Sequence, residues 1–255
     1  MPTVLDSFQL NGKVAVVTGA SRGLGAAMAV ALAEAGADIA LVARGDLAVT
    51  QATIAATGRQ CAIIAADVGA PDAAPAILQA VLKRFGRADI LVNNAGIIRR
   101  ANILEFSDTD WDDVLNVNLK AVFKLSQAFA ADWAARKVPG KIINTASLLS
   151  FQGGIRVVSY TAAKSALMGI TRAMANELAP LQINVNAIAP GYMETDNTAA
   201  LRADAVRNKA ILDRIPAGRW GASEDMNGAV VFLASRASDY VHGITLPVDG
   251  GWLAR

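Results

Sequence analysis

The sequence predicts an α/β protein, a single doubly wound domain whose seven-stranded parallel sheet carries helices on both faces. Short apolar, β-branched runs alternate with longer helical patterns along the 255 residues, as they do in consecutive βαβ units. The runs are apolar throughout rather than at every second position, which is typical of strands covered by helices on both faces. No repeat or flexible linker divides the chain, so we expect one domain over 1–255.

Seven runs are candidate strands, and six segments between them are candidate helices. The strands are predicted at 14–18, 39–43, 62–66, 90–94, 142–146, 183–189 and 244–248. The helices are predicted at 24–35, 46–57, 72–85, 108–137, 159–178 and 223–234. Ser107, with Asp110 three residues later, suits a helix N-terminus. The least regular segment, 191–222, follows the sixth strand, and we predict that this insertion closes over a substrate.

Composition and charge exclude several classes of function. The 24 basic and 22 acidic residues leave a net charge of +2 without a basic stripe, so we predict no nucleic-acid partner. A single cysteine, Cys61, and a single histidine, His242, exclude an intrachain disulfide and a multi-histidine metal site, and we predict no metal. We find neither a membrane-spanning apolar run nor a secretory signal, so we expect a cytoplasmic protein that acts on a small molecule without a membrane partner.

A glycine-rich loop follows the first predicted strand in "VAVVTGASRGLGAAM" (14–28). Glycines at this point allow a tight turn and a close approach of backbone N–H groups to a pyrophosphate, and the following helix N-terminus favours negative charge. A strand, then glycines, then a helix is the context that supports a dinucleotide site rather than an ordinary turn. The predicted contacts are Gly19, Ser21, Arg22, Gly23, Leu24 and Gly25.

The end of the second strand bears on which dinucleotide is bound. NAD sites usually place an acidic residue there to hold the ribose hydroxyls, but this strand ends at Ala43 and is followed by Arg44. Arg44, joined by Arg22, could pair with a 2′-phosphate, which favours NADP. In the alternative interpretation, Arg44 is a solvated charge and Asp46 holds the ribose.

The stretch "VSYTAAKSAL" (158–167) places Tyr160 and Lys164 one helical turn apart. Residues four apart share a helix face, and a nearby ammonium favours the phenolate form and lowers the pKa of a tyrosine. Such a pair can exchange a proton near neutral pH. In the alternative interpretation, the tyrosine packs and the lysine extends to solvent.

Several motifs in fixed order resemble the short-chain dehydrogenase/reductase family. They are "TGASRGLG" (18–25), "NNAG" (93–96), "NVN" (116–118), Ser147, "YTAAK" (160–164) and "PGYMET" (190–195). The resemblance covers nearly the whole chain and implies a Rossmann fold and an NAD(P) cofactor. It also implies that Asn118, Ser147, Tyr160 and Lys164 are the catalytic residues. The helices near 108–137 and 159–178 would then pack between subunits of a homotetramer.

The same resemblance implies the remaining cofactor contacts. Asp67 and Val68 would lie at the adenine, and Asn93 would stabilise the central strand. Tyr160 and Lys164 would also contact the cofactor, with Lys164 on the nicotinamide ribose. The other implied contacts are Asn94, Ala95, Gly96, Pro190, Gly191 and Thr195.

Longer stretches, among them "GIIRRANILEFSDTDWDDVLNVN" and "ILDRIPAGRWG", resemble a branch of this family that acts on deoxy sugar acids. The resemblance implies hydride transfer between the nicotinamide and a secondary alcohol or ketone of a 2-keto-3-deoxygluconate or 2-deoxygluconate type substrate. That branch usually uses NAD, whereas Ala43 and Arg44 favour NADP. Two alternatives stay open: an enzyme similar to 3-oxoacyl-carrier-protein reductases, and a non-catalytic dinucleotide-sensing protein.

A sugar acid carries a carboxylate, which needs a cation or several hydrogen-bond donors in a buried site. Arg156, between Ser147 and Tyr160, is our first candidate, and Arg99 or Arg100, after "NNAGII", is the next. We also expect Gln152 to bond substrate hydroxyls and Met193 to contact the substrate from the start of the lid. Arg214, within the lid, is a further candidate for the carboxylate. Each arginine could instead be a plain surface charge.

Overall fold

The computed structural model describes residues 3–255 and contains the predicted seven-stranded parallel sheet. Its spatial order is β3-β2-β1-β4-β5-β6-β7, and every neighbouring pair of strands is parallel. Successive strands are added towards one edge of the sheet from β1 to β3 and towards the other edge from β4 to β7. The switch point between β1 and β4 is where doubly wound folds bind ligands. The strands are β1 Val14–Thr18, β2 Asp38–Ala43, β3 Cys61–Ala65, β4 Ile90–Asn93, β5 Gly140–Thr145, β6 Ile183–Pro190 and β7 Thr245–Val248.

Nine α-helices accompany the sheet within residues 3–255. Two apolar clusters show that α1, α2 and α9 pack on one face of the sheet and α3, α5 and α6 on the other. No helix in this described range is both long and apolar enough to cross a bilayer. The helices are α1 Gly23–Glu34, α2 Ala48–Ala56, α3 Ala73–Phe85, α4 Asp108–Leu115, α5 Ala121–Arg136, α6 Val158–Leu178, α7 Ala199–Ala203, α8 Ala205–Leu212 and α9 Asn227–Ala234.

Burial on both faces explains the uninterrupted apolar runs. Along β1, Val17 joins the cluster under α1 and α9, whereas its neighbour Val16 joins the cluster under α3 and α5. All five residues of β1 and all eight of β6 are buried. Removing apolar side chains from water on both sides of the sheet is the main stabilising contribution, so neither face tolerates the polar alternation of a half-exposed strand.

Two predicted segments differ from the structure. The single helix expected over 108–137 is divided by a π-helical turn at Asn116–Lys120 between α4 and α5. The insertion 191–222 contains α7 and α8 rather than only irregular chain. The predicted helix start at Ser107 is confirmed, because its side chain accepts a hydrogen bond from the backbone N–H of Asp110 at 3.1 Å. Residues 1 and 2, part of the segment searched for a signal, lie outside the described residues.

Candidate active site

The predicted motifs meet at one edge of the sheet. Gly19 follows β1, Asn94 follows β4, Ser147 lies just beyond β5, and Gly191 follows β6. Because parallel strands place their carboxyl ends at the same edge, these four segments surround the point where the strand order reverses. The fold therefore brings the cofactor and catalytic candidates together although they are spread over 170 residues of sequence.

The glycine loop packs directly against the segment after β4. Gly19 has a φ of 66°, and a β-carbon there would lie 2.8 Å from the α-carbon of Ala95. A β-carbon at Gly25 would overlap the carbonyl oxygen of Gly19, and Gly23 also has a positive φ, 55°. Side chains at these positions would push the loop away from the strand ends. The loop therefore has no side chain at these glycines, and its backbone N–H groups stay accessible at the N-terminus of α1, which fits a bound pyrophosphate.

Thr18 connects this loop to the segment after β4, and the sequence had not singled it out. Its side-chain oxygen accepts hydrogen bonds from the backbone N–H groups of Asn94 and Ala95, both at 3.0 Å. The Asn94 side chain donates to the carbonyl oxygens of Thr18 at 3.0 Å and Gly19 at 3.2 Å. Asn93 faces the interior and donates to Asn144 at 2.9 Å, as expected for a residue that stabilises the central strands.

The two arginines predicted for a 2′-phosphate have different partners in this structure. Arg44 pairs with Asp67 at 3.4 Å, and Arg22 pairs with Asp196 at 3.1 Å. The expected joint site of Arg22 and Arg44 is therefore not formed here, because each guanidinium is drawn to its own carboxylate. Asp46 accepts the backbone N–H of Ala48 at the start of α2 at 2.9 Å, which gives Asp46 a structural role.

The remaining cofactor candidates lie on the segments that follow β3, β4 and β6. Asp67 follows β3, and one of its carboxylate oxygens accepts the backbone N–H of Gly69 at 2.9 Å, while Val68 packs at the edge of the apolar cluster under α3. A β-carbon at Gly191 would lie 2.6 Å from the α-carbon of Asp249, so this turn after Pro190 requires a glycine. A β-carbon at Gly23 would lie 3.8 Å from Thr195, so the glycine loop and the start of the insertion are close neighbours. Ser21 and Leu24 lie in the glycine loop, and Gly96 lies beside Asn118.

Ser147, Tyr160 and Lys164 lie together beyond the end of β5. The Lys164 side-chain nitrogen is 5.5 Å from the centre of the Tyr160 ring, and the Ser147 side chain is near enough to the phenol to lower its pKa. Lys164 is 4% exposed and donates to the carbonyl oxygen of Thr145 at 2.6 Å. Ser150 donates to the carbonyl oxygen of Lys164 at 2.6 Å, so the catalytic helix is anchored to the loop that carries Ser147.

The sequence predicts that Lys164 lowers the pKa of Tyr160, and this prediction is wrong for the protein without cofactor. Burial raises the pKa of the Tyr160 phenol, and the Ser147 side chain and the charge of Arg100 only oppose that rise. Burial also lowers the pKa of Lys164 to about 8. The physical reason is desolvation, which penalises phenolate and ammonium alike. Because the pKa of Lys164 is about 8 and the pKa of the phenol lies above its ordinary value, Lys164 is mostly neutral at the pH where the phenol ionises and does not lower the tyrosine pKa.

Asn118 lies in the π-helical turn and is fully buried. Its side-chain oxygen accepts the backbone N–H of Ile97 and its side-chain nitrogen donates to the carbonyl of Ile97, both at 2.8 Å. These bonds orient the carboxamide and attach the turn to the segment after "NNAG". Single π turns inside helices are frequent at functional sites, and the catalytic role that the resemblance implies for Asn118 stays a prediction.

The structure reorders the arginines predicted for a substrate carboxylate. Arg99 turns towards α4 and pairs with Asp110 at 3.2 Å and Asp113 at 3.3 Å, so its charge is already compensated. Arg100 donates to the carbonyl of Asn197 at 3.0 Å, and its charge acts on Tyr160. Arg156 is exposed, with a φ of 64°. The Tyr160 phenol is therefore influenced by Arg100, a candidate that the sequence places below Arg156.

The Met193 side chain lies in the core rather than in an open cleft. It is 4% exposed and belongs to the apolar cluster under α1 and α9, where its sulfur fills the space beside Gly221. A cavity of about 250 Å³ touches Met193, but its lining contains none of the four catalytic candidates. The predicted substrate contact of this side chain is therefore not supported, because packing against Gly221 decides its direction.

Gln152 belongs to a cluster that sequence reasoning did not find. Its side-chain oxygen accepts the indole N–H of Trp252 at 3.1 Å and a guanidinium N–H of Arg214 at 3.5 Å. The ring of Tyr192 packs against Trp252 with centres 4.6 Å apart. No local signal predicts these contacts, because 100 residues separate Gln152 from Trp252.

Comparison with known proteins finds relatives that match nearly the whole chain. The sequence profile of short chain dehydrogenases matches residues 13–206. The 2-dehydro-3-deoxy-D-gluconate 5-dehydrogenase of Escherichia coli K12 is 58% identical over 252 residues, which cover 99% of this chain and 100% of that enzyme. A crystal structure from Agrobacterium tumefaciens, of a proposed 2-deoxy-D-gluconate 3-dehydrogenase with bound NADP, is 58% identical with a TM-score of 0.93 over 98% of this chain and 100% of that one. A 3-oxoacyl-carrier-protein reductase of Vibrio cholerae is 40% identical over 96% of this chain and 98% of that enzyme.

Proposed function

The chain belongs to the short chain dehydrogenase family and is an NAD(P)-dependent oxidoreductase, and on that premise we propose that it oxidises or reduces a deoxy sugar acid of the 2-keto-3-deoxygluconate type. The observation that carries the substrate class is the 58% identity to the E. coli enzyme over its full length. Identity to the Vibrio cholerae reductase is lower, 40%, so the 3-oxoacyl alternative ranks second. The presence of both Tyr160 and Lys164 argues against a non-catalytic sensor.

We propose that Tyr160 exchanges the proton of the substrate oxygen and that Ser147 orients that oxygen by a hydrogen bond. The nicotinamide supplies the hydride chemistry when it is bound. In the reduction direction, the phenol of Tyr160 donates its proton to the oxygen that gains negative charge at the former carbonyl. In the oxidation direction, the phenolate accepts the proton of the substrate hydroxyl. The contact between Ser147 and Tyr160 supports this division of roles.

Lys164 would act on Tyr160 only when its ammonium remains charged. Its pKa of about 8 without cofactor leaves most of the group charged at pH 7. Ribose hydroxyls would add hydrogen-bond acceptors around the ammonium and so favour its charged form. We therefore propose that cofactor binding brings Lys164 to its working state and that Asn118 fixes the position of a solvent connection beside it.

We propose that the chain accepts NADP and that Arg44 is the residue that recognises its 2′-phosphate. Arg44 is 69% exposed and its pairing with Asp67 spans 3.4 Å, and such exposed ion pairs contribute little to stability. A phosphate, which accepts a bidentate hydrogen bond, could replace that carboxylate. The Agrobacterium tumefaciens relative was solved with NADP, which supports this choice over the NAD preference expected from the resemblance.

We further propose that residues 191–222 form a lid and that Arg100 helps to position the reacting end of the substrate. Arg100 connects the segment after β4 to this insertion through the carbonyl of Asn197, so movement of the lid would change its position. The homotetramer and the cytoplasmic location stay predictions of the sequence, and so does the single-domain boundary at 1–255.

The decisive experiment is a nicotinamide absorbance assay of the purified protein with 2-keto-3-deoxygluconate, run in parallel with NAD and NADP. We expect reduction of cofactor at 340 nm, with NADP giving the higher kcat/KM. A 3-oxoacyl thioester with NADPH serves as the competing substrate. Turnover of the thioester without turnover of the sugar acid would replace the proposed function with the reductase alternative.

A further inference from the structure

Three segments that are distant in sequence converge on Arg214. The guanidinium carbon of Arg214 lies 4.0 Å from the centre of the Trp252 ring. One guanidinium N–H points to the side-chain oxygen of Gln152 at 3.5 Å, and the indole N–H of Trp252 donates to the same oxygen at 3.1 Å. Gln152 belongs to the loop after β5, Arg214 to the insertion, and Trp252 to the C-terminal segment. This group is called the Arg214 cluster below.

The charge of Arg214 is not compensated within residues 3–255. The carboxylate next to it in sequence, Asp213, pairs with Lys209 at 2.7 Å, and no ion pair to Arg214 occurs in the described range. Stacking on an aromatic ring fixes the plane of a guanidinium while its edge stays open to form further hydrogen bonds. The Arg214 cluster therefore holds an exposed cation in one orientation.

Gln152 offers a second donor at the same place. Its side-chain oxygen is occupied by two donors, so the orientation of the amide is set by the hydrogen bonds of the cluster. The amide nitrogen has no acceptor among residues 3–255. An amide N–H₂ group beside a guanidinium presents only donors, and an anion is the ligand that such a pair binds best.

The Arg214 cluster lies next to the proposed catalytic residues. Leu148 directly follows Ser147 and belongs to the same apolar cluster as Trp252 and Trp220. Tyr192, two residues after Pro190, packs on both tryptophans with ring centres 4.6 Å and 5.5 Å apart. The side chains of Leu148, Tyr192 and Trp252 therefore form one apolar cluster, which extends from the residue after Ser147 to the ring on which Arg214 is stacked.

Arg100 and Arg214 are held by different parts of the structure: Arg100 donates to the carbonyl of Asn197, whereas Arg214 stacks on Trp252. The charge of Arg100 acts on the Tyr160 phenol, where the substrate oxygen reacts. In a 2-keto-3-deoxy sugar acid that reacts at its fifth carbon, the carboxylate is four carbon–carbon bonds from the reacting carbon. A cation that binds the carboxylate must then lie away from Tyr160, and this step rests on the proposed function.

We propose that Arg214 binds the carboxylate of the sugar-acid substrate, with the Gln152 amide as a second donor and Trp252 as the positioning residue. Because Arg214 lies in the insertion and Gln152 in the loop that carries Ser147, a bound carboxylate connects the two. The site thereby selects acids over neutral sugars.

The test compares wild-type protein with the Arg214→Ala, Arg214→Lys and Lys209→Ala variants on 2-keto-3-deoxygluconate and on its carboxamide. Lys209→Ala is the matched control, since it removes one positive charge from the outer side of the same segment. We expect Arg214→Ala to raise KM for the acid about 10- to 100-fold, the effect of losing a charge-assisted hydrogen bond, and KM for the carboxamide by less than about 3-fold. Arg214→Lys keeps the charge without the planar fork and should give an intermediate KM.

The outcomes separate this inference from the proposed function. Equal KM increases for acid and carboxamide would mean that Arg214 only shapes the lid, and an unchanged KM for the acid would likewise overturn the inference while the proposed function stands. Absence of wild-type turnover on both compounds would overturn both. Melting temperatures identify a variant that fails to fold, in which case Arg214→Lys decides the outcome.

A second variant, Gln152→Glu, tests the geometry of the cluster. The substitution places a carboxylate 3.5 Å from the guanidinium, where it would pair internally with Arg214 and repel the substrate. We expect KM for the acid to rise at least as much as in Arg214→Ala, with a smaller change for the carboxamide. A KM for the acid equal to that of wild type would show that Gln152 and Arg214 do not share an anion site.

Discussion

The cofactor half and the substrate half of this site are built differently. On the cofactor side, Gly19 and Gly25 lie six residues apart, and their closest neighbours are the backbone of Ala95 for Gly19 and the carbonyl oxygen of Gly19 for Gly25. On the substrate side, the contact between Gln152 and Trp252 joins side chains that are 100 residues apart. Backbone recognition of a phosphate is local, whereas side-chain recognition of a sugar acid depends on how distant segments pack. Tyr160 and Lys164 lie between the two halves.

The largest effect is expected at the boundary of the two halves. Tyr160→Phe removes the proposed proton donor and acceptor, and turnover should fall about 10²- to 10⁴-fold while cofactor affinity, measured by fluorescence titration, stays close to wild type. The matched control is Tyr240→Phe, because Tyr240 is 99% exposed. Substantial residual turnover in Tyr160→Phe would remove this tyrosine from the chemistry of either half.

Lys164→Met tests whether burial lowers the pKa of Lys164 in the protein without cofactor. Burial lowers the pKa of Lys164 to about 8, whereas an unfolded lysine has a pKa of about 10.4. Between these values the unfolded chain binds a proton that the folded protein does not, so the free energy of unfolding of the wild type should rise with pH, by roughly 3 kcal/mol in total. Below pH 8 the folded protein carries the full cost of the buried charge.

Urea unfolding of cofactor-free wild type and Lys164→Met at pH 7, 8, 9 and 10 measures this effect. The stability of the wild type should improve relative to the variant across that range, since groups common to both cancel in the difference. A stability difference that stays constant from pH 7 to pH 10 would contradict the lowered pKa of Lys164.

Gly25→Ala tests whether cofactor binding depends on the absence of a side chain in the glycine loop. The added methyl group would overlap the carbonyl oxygen of Gly19 and press on the side chain of Asn94, so the loop must move at a cost of about 1–3 kcal/mol. We expect weaker cofactor binding by about 10-fold or more, measured by titration. Gly228→Ala in α9, where no heavy atom lies within 4 Å, is the control; if both variants bind cofactor alike, the close packing of the loop is unimportant.

Arg44→Ala tests the side chain that we propose to contact the 2′-phosphate of NADP. Loss of a phosphate partner should lower the ratio of kcat/KM for NADP to that for NAD by about 10-fold, with little change for NAD itself. Arg84→Ala, which removes an exposed arginine that donates to Gln60, is the charge-matched control. A ratio unchanged by Arg44→Ala would favour the interpretation of Arg44 as a solvated charge.

Arg156→Gly should have the smallest effect. Arg156 has a φ of 64°, a conformation that glycine adopts more readily, so the substitution should stabilise the protein or leave it unchanged, within about 1 kcal/mol. The KM for the sugar acid should change less than 3-fold, because the exposed side chain would not bind the carboxylate. A large and acid-specific increase in KM would restore our first ranking of the arginines and weaken the case for Arg214.

Much of the molecule could be predicted because its signals are local. The doubly wound sheet, the family and the cofactor class are confirmed. The division of the helix at Asn116–Lys120 could not be predicted, because the backbone there adjusts to the contact between Asn118 and Ile97. The contact of Arg214 with Gln152 was equally hidden, since 62 residues separate the two.

The sequence by itself determined the succession of strands and helices along the chain, the glycine loop after β1 and the placement of Tyr160 and Lys164 on one helix face, because each of these follows from short-range periodicity and spacing. Only the tertiary structure decided that Arg99 is paired while the charge of Arg100 acts on Tyr160, that Met193 is buried, and that burial raises the pKa of Tyr160. Side-chain direction and desolvation depend on everything packed around a residue, and most of that packing comes from distant parts of the chain.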